Sequence, residues 1–85
     1  IRLGLALASL RRFEEAASVL ETAVRADSTL VEARDALGRV RAAQGRYEDA
    51  IEQWEEVLRL APRHPQAASR IRLAREKLVQ GNGQP

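Results

Sequence analysis

A self-match at a shift of 34 residues is the feature that most narrows what this chain can fold into. At that shift Leu3 meets Leu37, Gly4 meets Gly38, Arg12 meets Arg46, Phe13 meets Tyr47, Glu14 meets Glu48 and Ala16 meets Ala50. Further on Leu20 meets Trp54, Glu21 meets Glu55, Val24 meets Leu58 and Arg25 meets Arg59. What recurs is the spacing of small, aromatic and acidic classes, which biased composition alone does not produce. A period of this length marks stacked supersecondary units, each too small to bury its own apolar face. Eighty-five residues hold two such steps and a remainder, enough for a modest core.

Within each step the apolar residues fall on one helical face: Phe13, Ala16, Ala17, Leu20, Ala23 and Val24, then Tyr47, Ala50, Ile51, Trp54, Val57 and Leu58. Ala, Leu, Arg and Glu dominate the composition, as helices prefer. Glu14 and Glu15, then Glu48 and Asp49, sit where a first turn favours acids, so they read as helix-start chemistry. Thr29 through Glu32 has the spacing of a capping box, and Gly45 suits a left-handed C-terminal cap. Pro62 ends one helix and Pro65 is placed to be the first residue of the next. The pattern predicts helices at about 1–10, 13–26, 30–43, 47–60 and 65–80.

These residues resemble the tetratricopeptide repeat family, whose unit is a pair of antiparallel helices. The likeness is fullest over 31–64, carried by Leu37-Gly38, by Gly45, Tyr47 and Ala50 across the turn, by Trp54 in the second helix and by Pro62 at its end. Residues 1–30 read as the same unit lacking its first residues, with Arg11 in place of Gly45 and Ser28 in place of Pro62. In 65–80 Ile71 matches Leu37 but Arg72 replaces Gly38, which reads as a capping helix; 81–85 reads as a flexible tail. The expected fold is all-α, a short α-solenoid of antiparallel helix pairs. A helical glycine costs about 1 kcal/mol against alanine, so Gly4 and Gly38 make sense where another helix crosses closely. Ala16 and Ala50 are the small partners on the second helices, while Tyr47 and Trp54 read as repeat packing.

In arrays of this family the first helix of each pair lines a concave groove, so the resemblance implies a site among the residues left over from packing. The implied stripes are Ile1, Leu5 and Ala8; Glu32, Asp35, Arg39 and Ala43; and Gln66, Arg70, Leu73 and Lys77. Leu5, Asp35, Arg39, Arg70, Leu73 and Lys77 are the groove candidates, for a protein or peptide partner; the competing reading of each is an ordinary solvated face. A subgroup of the family grips acidic chaperone tails with a clamp of lysines, asparagines and an arginine. The corresponding positions here are Ile1, Leu5, Ala36, Gln66 and Arg70, and only Arg70 fits that clamp.

Other classes fit less well. Ser9, Ser18, Ser28 and Ser69 have no recognisable His and acid partners, no glycine-rich phosphate loop follows a strand, and His64 beside Pro65 reads as a loop or helix-entry residue, so neither an enzyme nor a cofactor is expected. There is no cysteine, and His64 is the single histidine. Charge is uneven. Residues 1–58 carry eight arginines against eleven acids, net −3, and residues 59–85 carry six cations against Glu76, net +5. The basic end makes nucleic acid or anionic lipid an alternative partner, disfavoured because no aromatic stands there to stack a base. Thirteen arginines to one lysine fit a GC-rich genome, and a start without Met fits a fragment of a larger, bacterial protein. The apolar opening, with Ile1, Leu3, Leu5, Leu7 and Leu10, adds a homo-oligomer through the N-terminal edge as a further alternative.

Overall fold

Five helices follow one another in a computed structural model describing residues 1–82: α1 (Arg2–Ser9), α2 (Phe13–Ala26), α3 (Val31–Ala43), α4 (Tyr47–Leu60) and α5 (Ala67–Asn82). No strand occurs among the described residues. Each helix packs against its neighbours in sequence, and α1 also touches α3, which gives a helical solenoid. The apolar faces meet in two clusters. Leu7, Ala16, Ala17, Leu20, Ala36, Leu37 and Val40 join α1, α2 and α3. Ala50, Ile51, Trp54, Val57, Ala67, Ile71 and Ala74 join α4 and α5, with Val31 and Ala42 of α3 at the margin. Leu20, Leu37 and Val57 are fully enclosed, each worth about 1.5–3 kcal/mol of burial.

The small residues are where the helices cross. A Cβ built on Gly38 would stand 2.6 Å from Trp54 Nε1, and one on Gly4 would stand 2.6 Å from Leu20 Cγ. Ala16 and Ala50 have no exposed surface. The same step therefore places a large side chain of the second helix directly over a glycine of the first, in both units.

The turns after α1 and α3 share one backbone solution. After α3, Gly45 takes φ +79° while its N–H reaches the Ala42 carbonyl (2.9 Å) and the Arg46 N–H reaches Arg41 (2.8 Å). This pair of bonds closes the helix in a Schellman motif. After α1 the identical pair runs from Arg11 to Ala8 and from Arg12 to Leu7, both 2.9 Å. Arg11 holds φ +60°, a left-handed conformation that costs a non-glycine residue about 1–2 kcal/mol. Its guanidinium lies 5.4 Å from the centre of the Phe13 ring, and that cation–π contact returns about 0.5–1 kcal/mol.

Three local expectations need correction. The capping box at Thr29 does not form: the Thr29 hydroxyl and N–H both donate to Asp27 Oδ1 (2.6 and 3.0 Å), and Leu30 becomes the N-cap of α3. That pair of donors holds the exposed Asp27 carboxyl below the usual carboxylate range. Its contribution is present above the ordinary carboxylate pKa and is lost as pH falls through the lowered value. Pro65 is not the first residue of α5 either. Pro65 and Gln66 form a turn, the Gln66 carbonyl accepts the Arg70 N–H (2.9 Å), and His64 Nδ1 accepts the N–H groups of Gln66 (3.3 Å) and Ala67 (3.1 Å). A ring nitrogen thus fills the role a serine or aspartate usually takes at a helix start. Of the expected tail at 81–85, Gly81 and Asn82 belong to α5 and 83–85 lie outside the described residues.

Two substitutions of opposite sign test these backbone arguments. Arg11→Gly should raise stability by about 0.5–1 kcal/mol, since the relieved strain exceeds the lost ring contact. Gly38→Ala should lower it by about 1–3 kcal/mol, because the flat indole cannot retreat. Urea denaturation of both variants measures each shift, and a stabilising Gly38→Ala would contradict the close crossing.

Candidate functional site

The helical stack carries two adjoining clefts that share Arg39. One, of about 230 Å³, lies between α3, α4 and α5 and is lined by Arg39 and Ala42, by Tyr47 and Trp54, and by Arg70, Leu73, Ala74 and Lys77. The other, of about 310 Å³, is bounded by Leu5, Ala8, Ser9, Phe13, Ala36, Arg39 and Val40. Helical spacing explains the first: Leu73 and Lys77 are four residues apart on α5, and Arg39 and Ala42 three apart on α3, so each pair shares a face. Four of the six sequence candidates, Arg39, Arg70, Leu73 and Lys77, therefore meet in one cleft. Leu5 faces the adjoining one.

Asp35 does something else. It is only 8% exposed, and its carboxylate is taken up inside the protein. Asp35 Oδ1 accepts the Trp54 Nε1–H at 3.2 Å and an Arg70 Nη1–H at 2.5 Å. Arg39 Nε stands 3.5 Å from Oδ2. One carboxylate of α3 thereby ties down the indole of α4 and the guanidinium of α5. Sequence reasoning placed Asp35 and Arg70 in the groove as separate contacts and missed the clasp they form. The available signal was the indole itself, since a buried Trp N–H needs an acceptor. Asp35, one turn from Gly38 on the same helix face, is the acid within its reach.

The clasp sorts the cations. Arg70 is 24% exposed in its side chain and committed to Asp35, whereas Arg39 is 49% exposed and more loosely held. Lys77 is exposed and makes no ion pair among the described residues. Arg39, Arg70 and Lys77 line the cleft while Asp35 pairs with the two arginines alone, which leaves the cleft positive. Elsewhere, Arg41 of α3 pairs with Glu21 of α2, and Arg34 of α3 donates to Gln53 of α4 at 3.3 Å. Pro62 follows the Ala61 C-cap of α4 in an exposed turn.

Among the described residues no group of three or more His, Cys, Asp or Glu could hold a metal ion, and no helix is long and apolar enough to cross a membrane.

Comparison with known proteins adds one positive finding. A model of the tetratricopeptide repeat matches residues 1–65 and again residues 36–75. No curated protein matches the chain.

The clasp makes a stability ordering. Asp35→Ala should cost about 2–3 kcal/mol, because it leaves a buried N–H and a partly buried guanidinium without their acceptor. Arg39→Ala should cost under about 1 kcal/mol, as for other exposed pairs. Thermal or urea unfolding of the two variants checks the order, and equal losses would contradict the sorting.

Proposed function

The chain belongs to the tetratricopeptide repeat family, and on that premise we propose that its concave clefts grip a segment of a partner protein. Tetratricopeptide repeats are in general protein–protein interaction modules. The observation that carries the reading is the first cleft, where Arg39, Arg70, Leu73 and Lys77 gather over Tyr47 and Trp54 on otherwise well-packed helices. Apolar floor and charged rim are the division of labour in a recognition site: burial supplies affinity, and the rim fixes orientation. Asp35 contributes by holding Arg70 and Trp54 in place rather than by touching the partner. The units 1–30 and 31–64, followed by α5, serve as a rigid frame for that surface.

The test is a partner recovered with the full-length protein, followed by affinity measurements. Leu73→Ala and Arg39→Ala should each weaken binding about tenfold, while Glu52→Ala on the opposite side of α4 should leave it unchanged. Normal binding by the cleft variants with loss in the Glu52 variant would overturn the assignment.

A second reading, self-association, is favoured by the outer edge of α1. Leu3 is 60% and Leu10 67% exposed there. Leu37, the counterpart of Leu3 one step on, is 2% exposed and shares a cluster with Ala16, Ala17 and Leu20 of α2. Leu3 thus presents the face that a helix like α2 covers in the next unit. Because Leu5 lies on the cleft side, Leu3→Glu is the informative change. Sedimentation should show concentration-dependent association that this variant abolishes, and a monomer at every concentration would reject the second reading.

A further inference from the structure

We infer that two copies of the chain pair through the outer edge of α1, the two helices running antiparallel about a twofold axis beside Ala6, to give a closed dimer. The inference rests on the self-association reading above and names the surface that covers Leu3. Leu3, Ala6 and Leu10 are spaced i, i+3 and i+7, so they share one flank of α1, and all three are exposed. The repeat covers that flank one step on: Leu37 and Val40 of α3 are buried with Ala16, Ala17 and Leu20 of α2, and Arg41 of α3 pairs with Glu21. Leu5 and Ala8 lie on the other flank of α1, in the cleft with Phe13 and Ala36, so the pairing does not draw on the cleft.

The rest of the molecule leaves a second copy one apolar surface to offer. Both α2 and α4 spend their apolar faces inside, on the two clusters. Among the described residues, the large apolar side chains exposed away from α1 and its C-cap Leu10 are Leu73, in the first cleft, and Val79, beside Arg72, Arg75 and Glu76 on α5. Arg72 occupies the position of Gly38, so the end of the stack presents a charged side chain where the inner seams present glycine. A head-to-tail contact would seat the Leu3 flank on those charges, whereas a second α1 meets it with the same apolar row, an isologous contact that closes. Antiparallel packing sets Leu3 of each copy against Leu10 of the other. It also brings the two Ala6 residues together where the helices cross, a small residue at a crossing as at Gly4 and Gly38 inside. No acid stands on α1, and two cations at its end are engaged within the chain: Arg12 with Glu15 at 2.8 Å, and Arg11 over the Phe13 ring. The contact is therefore apolar, without ion pairs between copies. An eight-residue helix spans about 12 Å, so the edge falls short of the about 1,200 Å² of a stable complex, and the dimer is weak.

Sedimentation at rising concentration should show monomer and dimer with no larger species, and the dimer should persist as salt rises. Leu10→Glu should weaken it about tenfold or more, while Val79→Glu on α5 should leave it within about twofold. The chain has no cysteine, so single substitutions report the geometry. Under a mild oxidant Ala6→Cys should cross-link about tenfold faster than Glu52→Cys, an exposed control on α4 that measures random collision. Leu3→Cys or Leu10→Cys alone should only match that control, because a seven-residue offset sets like positions about 10 Å apart, beyond the about 7 Å that a disulfide spans. An equal mixture of the two should cross-link as fast as Ala6→Cys. Larger species, dissociation by Val79→Glu or by salt, or fast cross-linking of Leu3→Cys with itself would overturn the antiparallel pairing and leave self-association standing. A synthetic peptide of residues 13–26 is a further arm: if it displaces the second copy at equal concentration, a helix of the α2 kind is the occupant and the inference is wrong. A monomer at every concentration overturns the inference and the self-association reading together, and leaves the cleft reading untouched.

Discussion

The seating of Trp54 on Gly38, with its indole N–H given to Asp35, is the contact on which the C-terminal half of the molecule depends. The glycine removes the Cβ that would stand 2.6 Å from the ring nitrogen, and that absence allows α3 and α4 to cross closely enough for the ring to be enclosed. Enclosure then requires an acceptor for the N–H, which Asp35 supplies from one turn away on the same helix. A buried carboxylate in turn requires a counter-charge, and Arg70 answers from α5. Packing, hydrogen bonding and charge pairing follow from one another. The last step fixes α5 against α3 and α4 and sets the wall of the cleft.

Comparison of the two units shows what this costs and what it supplies. In the first, Leu20 occupies the position of Trp54 and packs over Gly4, with Ile1 at the place equivalent to Asp35 and Ala36 at the place equivalent to Arg70. That seam needs no charges. The second unit uses ionic groups for the same mechanical task, and replacing such groups by well-packed apolar ones is often neutral or better for stability. Retaining them adds geometry: a guanidinium held rigid at the cleft wall, beside Arg39 and Lys77, which stay available to solvent.

Much of this architecture was legible in the sequence because it rests on periodic, local rules. The period of 34 located the units, the helical spacing of Tyr47, Ala50, Ile51, Trp54 and Val57 located the buried face of α4, and Gly45 marked its turn. The five helix ends at 13, 26, 43, 47 and 60 fall on the residues the pattern names. Failures arose where a side chain had two possible partners. Thr29 could cap a helix or close a turn onto Asp27, and it takes the turn, where one carboxylate oxygen accepts both its N–H and its hydroxyl. His64 reads from sequence as a loop or helix-entry residue, and its acceptor role at Ala67 moves the start of α5 past Pro65. Arg11 kept the glycine turn without the glycine, because helix pairing fixes that backbone more firmly than one residue's preference. The clasp escaped because it joins residues 35 apart, where pattern gives proximity of helices but not the partner of each charge.

Amide hydrogen exchange on the Asp35→Asn variant tests the central claim most directly, since this near-isosteric change removes the charge with little change in volume. The account predicts that α5 loses protection while α1 and α2 keep theirs, because Arg70 is the part-buried charged tie between α5 and the α3–α4 pair, whereas the other pair across that seam, Arg75 with Glu55 at 3.4 Å, is exposed and contributes little. Unchanged protection of α5, or an equal loss through all five helices, would contradict it.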